Sequence, residues 1–271
     1  MTASPIRQPA IFLPHGGGPC FFMDWTWGPA DTWEATRVFL SGLAGTLSAV
    51  PKALVVISGH WEEPAFTASA AASPELIFDY SGFPEHTYHL TWPAPGDPEL
   101  AERVAKLLSH AGLPSALSSN RGFDHGVFVP LKVVFPQAQI PVVTLSLASS
   151  LDPALHLAAG RALALLRDEG VLIVGSGMSF HNLRGYMRPE TAERARAFDD
   201  WLTKAVESPA ADRDALLTSW RNAPYAAFAH PREEHLMPLM VASGAGGSAG
   251  GTRIFSDDPM GAAISAYRFD G

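Results

Sequence analysis

The feature that most constrains the fold is a run of aliphatic residues that ends in a histidine. The stretch Ala53–Glu63 reads Ala-Leu-Val-Val-Ile and then Ser-Gly-His-Trp-Glu-Glu. Continuous aliphatic residues with β-branched members, stopped by Ser58 and Gly59, predict a buried strand of a parallel or mixed sheet. The strand is expected to end before His60, which places this imidazole at the rim where open α/β sheets bind ligands.

The same pattern occurs twice more along the chain. The apolar run Ala10–Pro14 leads directly to His15, and residues 171–174 lead through a Gly-Ser-Gly segment to His181. If the three strands lie in one sheet and point the same way, their histidines meet at one edge. Because strands alternate with helices along the chain, the pattern predicts an α/β fold, a three-layer α/β/α sandwich around a mixed, largely parallel sheet.

Helix-capping residues and apolar spacing place most of the other elements. Helices are predicted at residues 31–49, with Asp31 as the N-cap, and at 98–110, 153–168, 190–206 and 211–220, with one more opening at residues 230–235. Further strands are predicted at residues 66–71, 142–147 and 262–269, while residues 127–135 fit either a helix or a strand. Residues 243–251 are predicted to be a flexible glycine-rich link. His156 is expected at the surface or in the first turn of its helix rather than in a functional site.

Composition and charge exclude several classes of protein. The formal charge of −8 and the lack of a basic cluster argue against nucleic acid and against an anionic membrane surface as partners. With one cysteine, Cys20, the chain cannot form an internal disulfide or a thiolate metal cage, so a metal would take nitrogen and oxygen ligands. We see no signal-peptide core and no membrane-spanning window, and we expect a cytoplasmic protein.

No shift in composition divides the 271 residues, 47% of which are hydrophobic, so residues 1–271 are predicted to form one domain. The loop after His15 carries three glycines but lacks the spacing of a dinucleotide-binding fingerprint. We interpret these glycines as residues that let the backbone fold closely around whatever His15 contacts. The aromatic, proline-rich residues 83–96 have the length of a lid or binding loop, with His86 and His89 at the surface or substrate rim.

Five histidines lie beside glycine, serine or acidic residues in predicted loops or helix starts; they are His15, His60, His125, His181 and His235. A single histidine of this kind is more often structural than functional. Together they indicate a metal enzyme, because divalent iron, zinc and manganese accept imidazole, and three protein ligands leave open positions for substrate.

The order of the motifs resembles the class III extradiol ring-cleaving dioxygenases. The likeness is to the single-chain DOPA-dioxygenase type, related to the protocatechuate 4,5-dioxygenase catalytic subunit. The motifs that carry it are Leu13-Pro14-His15-Gly16-Gly17-Gly18-Pro19, Ser58-Gly59-His60-Trp61, Gly122-Phe123-Asp124-His125-Gly126, Gly175-Ser176-Gly177 with His181-Asn182-Leu183-Arg184, and Glu234-His235-Leu236-Met237-Pro238-Leu239. This chain departs from the usual pattern at Gly59, where relatives usually have alanine.

The resemblance implies metal ligation by three histidines and proton transfer by two more. The implied metal ligands are His15, His60 and His235, and the implied catalytic residues are His181 and His125. Distant relatives use a glutamate as third ligand, so Glu234 stays an alternative to His235. The implied metal is Fe(II), and Zn(II) can occupy the site in purified protein.

The activity that the resemblance implies is extradiol cleavage, in which both atoms of O2 enter a catechol and the ring opens beside the diol. Two alternatives stay open: a zinc-dependent hydrolase on the same histidines, and a non-catalytic metal- or protein-binding member of the fold. Candidates for stacking on a substrate ring are Trp25, Trp27, Tyr88, Trp92 and Tyr225. Arg184 and Arg232 could pair with a substrate carboxylate or lie solvated at the surface.

Overall fold

The computed structural model describes residues 6–271, and within them the strands form one eight-stranded sheet. The strands are β1 Ala10–Pro14, β2 Ala53–Glu63, β3 Phe66–Ser69, β4 Ser115–Ser118, β5 Val142–Ala148, β6 Val171–Gly177, β7 Thr252–Asp257 and β8 Ile264–Phe269. The helices are α1 Glu34–Leu43, α2 Pro98–His110, α3 His125–Val134, α4 Pro153–Leu163, α5 Leu165–Asp168, α6 Thr191–Glu207, α7 Ala210–Thr218, α8 Ala226–Ala229 and α9 Met237–Ala245.

The sheet has the strand order β4-β3-β5-β2-β6-β1-β8-β7. Strand β6 pairs in parallel with both β1 and β2, and β2 pairs in parallel with β5. Antiparallel pairing is found between β1 and β8, between β7 and β8, and at one residue pair between β3 and β5. The predicted mixed sheet is thus confirmed, and the three strands that precede the histidines are neighbours that end at one edge.

Alternating side chains of the central strands serve two separate cores. In β1, Phe12 belongs to the core under α2, α4, α6 and α9, whereas Ile11 and Leu13 belong to the core under α1 and α3. Because every residue of β1 is buried, the strand is covered on both faces, as parallel strands usually are. The three-layer α/β/α prediction is therefore confirmed as a single-domain fold.

Strand β2 is longer than predicted, and His60 lies within it. Its parallel pairing with β6 stops at Ser58, and its pairing with β5 shifts register between Ile57 and Glu62. Such an irregularity bends a strand and re-aims its side chains. His60 therefore stands in the bent part of β2 rather than after the strand's end.

Several other predicted bounds are wrong. Helix α1 begins at Glu34 and ends at Leu43, and a 3-10 turn follows over Ala44–Thr46, so Asp31 is not the N-cap. Gly42 near the end of the helix and Gly45 in the turn disfavour a longer helix, because glycine loses the most backbone entropy in a helix. The first residues of the predicted 243–251 link are helical and buried in α9, and the strands β4 and β7 went unpredicted. Residues 127–135 prove to be mostly α3, and α2 matches its predicted bounds.

His156 lies in the first turn of α4, as one of its two predicted positions has it, but it is fully buried and not at the surface. Its Nδ1 donates to the Asp152 carbonyl oxygen (2.7 Å), and its Nε2 accepts from the backbone N–H of Ala148 (3.3 Å). The ring thus joins the start of α4 to the end of β5, and burial lowers its pKa to about 4. Sequence spacing identified the first helical turn, but not the strand end that covers it.

Within residues 6–271, no helix has both the length and the apolar character needed to cross a membrane.

Helices α4 and α9 pack closely where α4 has Gly160, and this contact yields a prediction for stability. A Cβ on Gly160 in α4 would lie 2.1 Å from the Val241 carbonyl oxygen in α9. We expect Gly160→Ala to lower the free energy of unfolding by about 2 kcal/mol, measured by urea denaturation. Gly42→Ala in α1 is the matched control, since nothing lies within 4 Å of its Cβ position, and it should raise stability by about 0.5–1 kcal/mol. Equal effects of the two substitutions would contradict the packing argument.

The neutral His156 ring predicts an acid-dependent loss of stability. Its folded-state pKa lies below the unfolded value of 6.5, so the unfolded chain binds the extra proton at intermediate pH. The stability from this group is therefore complete above pH 6.5, falls as the pH decreases from 6.5, and is fully lost once the pH has fallen through about 4. We expect His156→Gln to reduce the difference in unfolding free energy between about pH 7 and about pH 4.5 by about 2 kcal/mol. An unchanged difference would show that His156 does not carry this dependence.

Candidate functional site

Three histidines from separate segments place their Nε2 atoms together at the edge of the sheet. The Nε2 atom of His60 lies 3.3 Å from that of His15 and 3.2 Å from that of His235. His15 follows β1, His60 lies in the bent part of β2, and His235 precedes α9. The backbone holds two of them against β6, because His15 N–H donates to the Gly177 carbonyl and the His235 carbonyl accepts from Met178.

Small residues permit this convergence. A Cβ on Gly177 would lie 2.2 Å from the His235 carbonyl oxygen, so the segment before α9 can lie on β6 only where β6 has glycine. A Cβ on Gly126 would likewise lie 2.8 Å from Cδ2 of His60. Gly177 therefore makes room for the backbone of His235, and Gly126 makes room for the imidazole of His60.

In each of these three imidazoles, Nδ1, the nitrogen that points away from the cluster, faces an oxygen of the protein. The Nδ1 partners are the Gly16 carbonyl for His15 (2.8 Å), the Glu234 carboxylate for His235 (2.9 Å) and, at a longer 3.5 Å, the Asp79 carboxylate for His60. With Nδ1 as the donor, each Nε2 keeps its lone pair. This arrangement of an outer acceptor behind an imidazole is typical of histidines that bind metals.

Burial keeps the three imidazoles neutral. It lowers the pKa of His15 and of His60 well below the usual value, with further lowering by the neighbouring histidines. Burial also lowers the pKa of His235 to about 4, although the carboxylate of Glu234 opposes this. At neutral pH three lone pairs therefore converge, an arrangement that a cation would stabilise.

The spacing of the nitrogens fits a divalent metal. Nitrogens about 2.0–2.1 Å from a tetrahedral zinc ion lie about 3.3–3.4 Å apart, and the two observed separations are 3.2 and 3.3 Å. Three groups in residues 6–271 have ligand atoms within 4.8 Å of one another: His15 with His60 and His235, His60 with Asp79 and His125, and His181 with Glu234 and His235. In the second and third groups the carboxylate accepts a hydrogen bond from a histidine Nδ1. Only in the first group does every member offer a nitrogen lone pair.

His125 is the first residue of α3 and lies beside His60, with 4.0 Å between the ring centroids. One oxygen of Asp79 accepts both from His125 Nδ1 (2.8 Å) and from the His125 backbone N–H (2.9 Å). Burial acts to raise the pKa of Asp79, but these hydrogen bonds and the charge of His125 together hold it below its usual value. Asp79 is a site residue that sequence reasoning missed, because it stands in an irregular segment without periodicity or a recognised motif.

Asp124 fixes the start of α3 against β2. Its carboxylate accepts from Ser58 Oγ (2.7 Å) and from Arg121 Nη2 (2.6 Å), and it is almost completely buried. Burial raises its pKa, while the Ser58 hydroxyl and the Arg121 charge act against this. Asp124 therefore holds His125 in place next to the strand that carries His60.

His181 lies on the other side of the histidine cluster and stacks on His235. The two ring centroids are 3.4 Å apart with an angle of 17° between the planes. Glu234 Oε1 lies 3.2 Å from His181 Nδ1 and 2.9 Å from His235 Nδ1. Although burial opposes it, hydrogen bonding to both rings holds the pKa of Glu234 far below its usual range. Glu234 thus lies on the Nδ1 side of His235 and not among the three Nε2 atoms.

A cavity of about 450 Å³ opens above the histidines. Besides His15, His60, His125 and His181, its lining includes Trp25, Trp27, Trp33, Tyr80, Phe83, Met178, Tyr186, Met187 and Met260. Of the aromatic candidates from the sequence, Trp25 and Trp27 line this cavity, whereas Tyr88, Trp92 and Tyr225 do not. Arg232 instead donates to both oxygens of Glu62 (2.5 and 2.6 Å).

The predicted lid region contributes little to the cavity. Phe83 lines it, but His86 and His89 lie elsewhere: His86 Nε2 bonds to the Phe22 carbonyl, and His89 Nε2 to Glu85. Residues 85–89 form a 3-10 turn rather than an extended loop. The two histidines are exposed side chains, which agrees with the surface role predicted for them.

Comparison with known proteins relates this chain to ring-opening enzymes. Residues 9–269 match the family described as the catalytic LigB subunit of aromatic ring-opening dioxygenase. The chain is 39% identical over 268 residues to a 4,5-DOPA dioxygenase extradiol of Beta vulgaris, covering 96% of this chain and 95% of the relative. It is 35% identical over 248 residues to the 4,5-DOPA dioxygenase extradiol of Escherichia coli K12, covering 89% and 86%.

A further named dioxygenase and a solved structure agree with this. The protein named dioxygenase tasH of Hapsidospora irregularis is 36% identical over 285 residues, covering 97% of this chain and 86% of the relative. The crystal structure of the uncharacterized protein JW3007 of Escherichia coli K12 superposes with a TM-score of 0.77 at 30% identity, covering 97% of this chain and all of that one. The resemblance seen in the motifs is thereby confirmed, and the chain belongs to the LigB family of aromatic ring-opening dioxygenases.

Proposed function

We propose that the protein is an extradiol dioxygenase, which adds both atoms of O2 to a catechol and opens the ring beside the diol. The observation that carries the proposal is the convergence of three neutral Nε2 atoms beside two further histidines, at the base of an aromatic-lined cavity. The names of the relatives and the family match support the same chemistry. We propose one catalytic domain over residues 1–271, in a cytoplasmic protein.

In this proposal His15, His60 and His235 hold the metal. Three neutral nitrogens leave coordination positions open, and the set suits Fe(II) as well as Zn(II). When bound, Fe(II) would acidify the diol and bring it together with O2. Asp79 and Glu234 fix two of the imidazoles from behind, so the protein supplies a rigid arrangement of ligands before the substrate enters.

His181 and His125 are the proposed acid and base residues. Glu234 holds Nδ1 of His181 and Asp79 holds Nδ1 of His125, which leaves each Nε2 able to take a proton. Both rings line the cavity, on opposite flanks of the three proposed ligands. His181 would accept the proton of a catechol hydroxyl and later return it, while His125 would assist from the side of His60.

The direct test is anaerobic loading with Fe(II) followed by a set of catechols in an oxygen electrode. We expect uptake of O2 and a yellow ring-opened product. A zinc-dependent hydrolase would turn over without O2, and a binding protein would consume none. Failure of every catechol to support O2 uptake would contradict the proposal.

His181→Ala should separate metal binding from turnover. Because His181 is assigned to proton transfer and not to ligation, we expect the variant to keep one metal per chain and to lose O2 uptake by about 100-fold or more. Metal analysis and the oxygen electrode measure the two properties. His110→Ala, at the exposed end of α2, is the control and should change neither. Loss of metal from His181→Ala would show that the ligand assignment is wrong.

Asp79→Asn tests the support behind His60 and His125. The amide keeps the size of the side chain but lacks the charge that attracts the two imidazole N–H groups. We expect Co(II) affinity, measured by competition with a chromophoric chelator, to fall about tenfold with the stoichiometry kept. Asp200→Asn, at an exposed position of α6, is the matched control. Equal affinities in the two variants would remove Asp79 from the metal site.

A further inference from the structure

Imidazoles are the only basic side chains among the described residues that line the cavity. Among the described residues that line it, there is no lysine or arginine, and Asp79 is the only carboxylate. A substrate carboxylate is normally held by arginine or lysine, often through paired hydrogen bonds. An ionised carboxylate entering this cavity would lose its hydration and would meet Asp79, which carries the same sign of charge.

The arginines near the site are paired with carboxylates or lie outside the cavity lining. Arg232 is paired with Glu62, and Arg121 is paired with Asp124 behind α3. Arg184 is exposed and does not line the cavity, although its neighbour Leu183 does. The sequence-based suggestion that Arg184 or Arg232 pairs with a substrate carboxylate is therefore not supported by their positions.

Large apolar side chains are exposed at the mouth of the same cavity. Trp27 is 55% exposed, Leu183 is 75% exposed and Met187 is 64% exposed, and all three line the opening. We call these three residues the apolar rim. The backbone N–H of Met187 donates to the Met260 carbonyl (3.2 Å), which ties the rim to the cavity wall. Apolar surface gathered at one place on a protein usually marks a binding site.

The size of the cavity exceeds the needs of a single ring. At about 450 Å³ it lies in the range that accepts drug-sized ligands. With a diol at the histidines, the remaining space is walled by Trp25, Tyr80, Phe83 and methionines and extends to the apolar rim. Aromatic and thioether side chains favour apolar and aromatic groups of varied shape.

We infer that the substrate is a catechol with a bulky apolar substituent and no carboxylate, and that Trp27, Leu183 and Met187 determine this specificity by contacting the substituent. The inference rests on the proposed function, because it places the diol at the histidines. It makes the apolar rim part of the site, since the substituent would cover side chains that otherwise face water.

Binding to the Zn(II)-loaded protein under anaerobic conditions tests the inference without turnover. The probes are catechol, alkylcatechols whose chain grows by one methylene at a time, and protocatechuate as the carboxylated catechol, followed by tryptophan fluorescence and calorimetry. We expect affinity to rise about fourfold per added methylene and protocatechuate to bind more weakly than an alkylcatechol of similar size. Affinity that is independent of chain length, or tighter binding of protocatechuate, would overturn the inference.

Leu183→Arg tests the rim directly, because it adds a cation at an exposed position. We expect about threefold tighter binding of protocatechuate together with weaker binding of the longest alkylcatechol. Leu165→Arg, at an exposed position of α5 that does not line the cavity, is the matched control and should change neither affinity. Identical behaviour of the two variants would exclude Leu183 from the specificity site.

Oxygen uptake by the Fe(II)-loaded protein distinguishes failure of this inference from failure of the proposed function. Equal kcat/KM for carboxylated and alkylated catechols would overturn the inference and leave the dioxygenase function in place. Tight binding of alkylcatechols with no O2 uptake for any of them would overturn the proposed function, while the binding preference would stand.

Discussion

The structure depends on three lone pairs that face one another in a place from which water is largely excluded. The parallel order β2-β6-β1 brings two of the imidazoles to one edge, and the segment before α9 lies across β6 to deliver the third. Backbone contact at Gly177 makes this last approach possible. The sheet, the glycines and the cavity above them are arranged around this one grouping, which a cation of suitable size would complete.

Two carboxylates organise the rings in the same manner. Asp79 lies between His60 and His125, and Glu234 lies between His235 and His181. Each acid thus joins one proposed metal ligand to one proposed proton-transfer residue. Glu234 presents the same oxygen to both of its rings, whereas Asp79 presents a different oxygen to each, so each pair of rings is oriented by one carboxylate.

The sequence predicted the central strands and α2, because uninterrupted aliphatic runs and an Asp-Pro helix start are strong local signals. Prediction from the sequence failed where tertiary contacts determine the local structure. Strands β4 and β7 are partly exposed along their length, so they lack a buried pattern. The motifs identified the five histidines as candidate site residues. Their roles in metal coordination stay predictions. Asp79 could not be found, because its hydrogen-bond partner His125 is 46 residues away in sequence.

The paired acids also set the charge balance of the interior. A divalent cation among three neutral rings would bring two positive charges into a poorly solvated region, and Asp79 and Glu234 bring two negative charges beside it. The interior would then be neutral before any substrate arrives. A diol that transfers its protons to adjacent imidazoles preserves that neutrality. A molecule with a permanent negative charge would instead leave an excess of negative charge that no nearby group offsets.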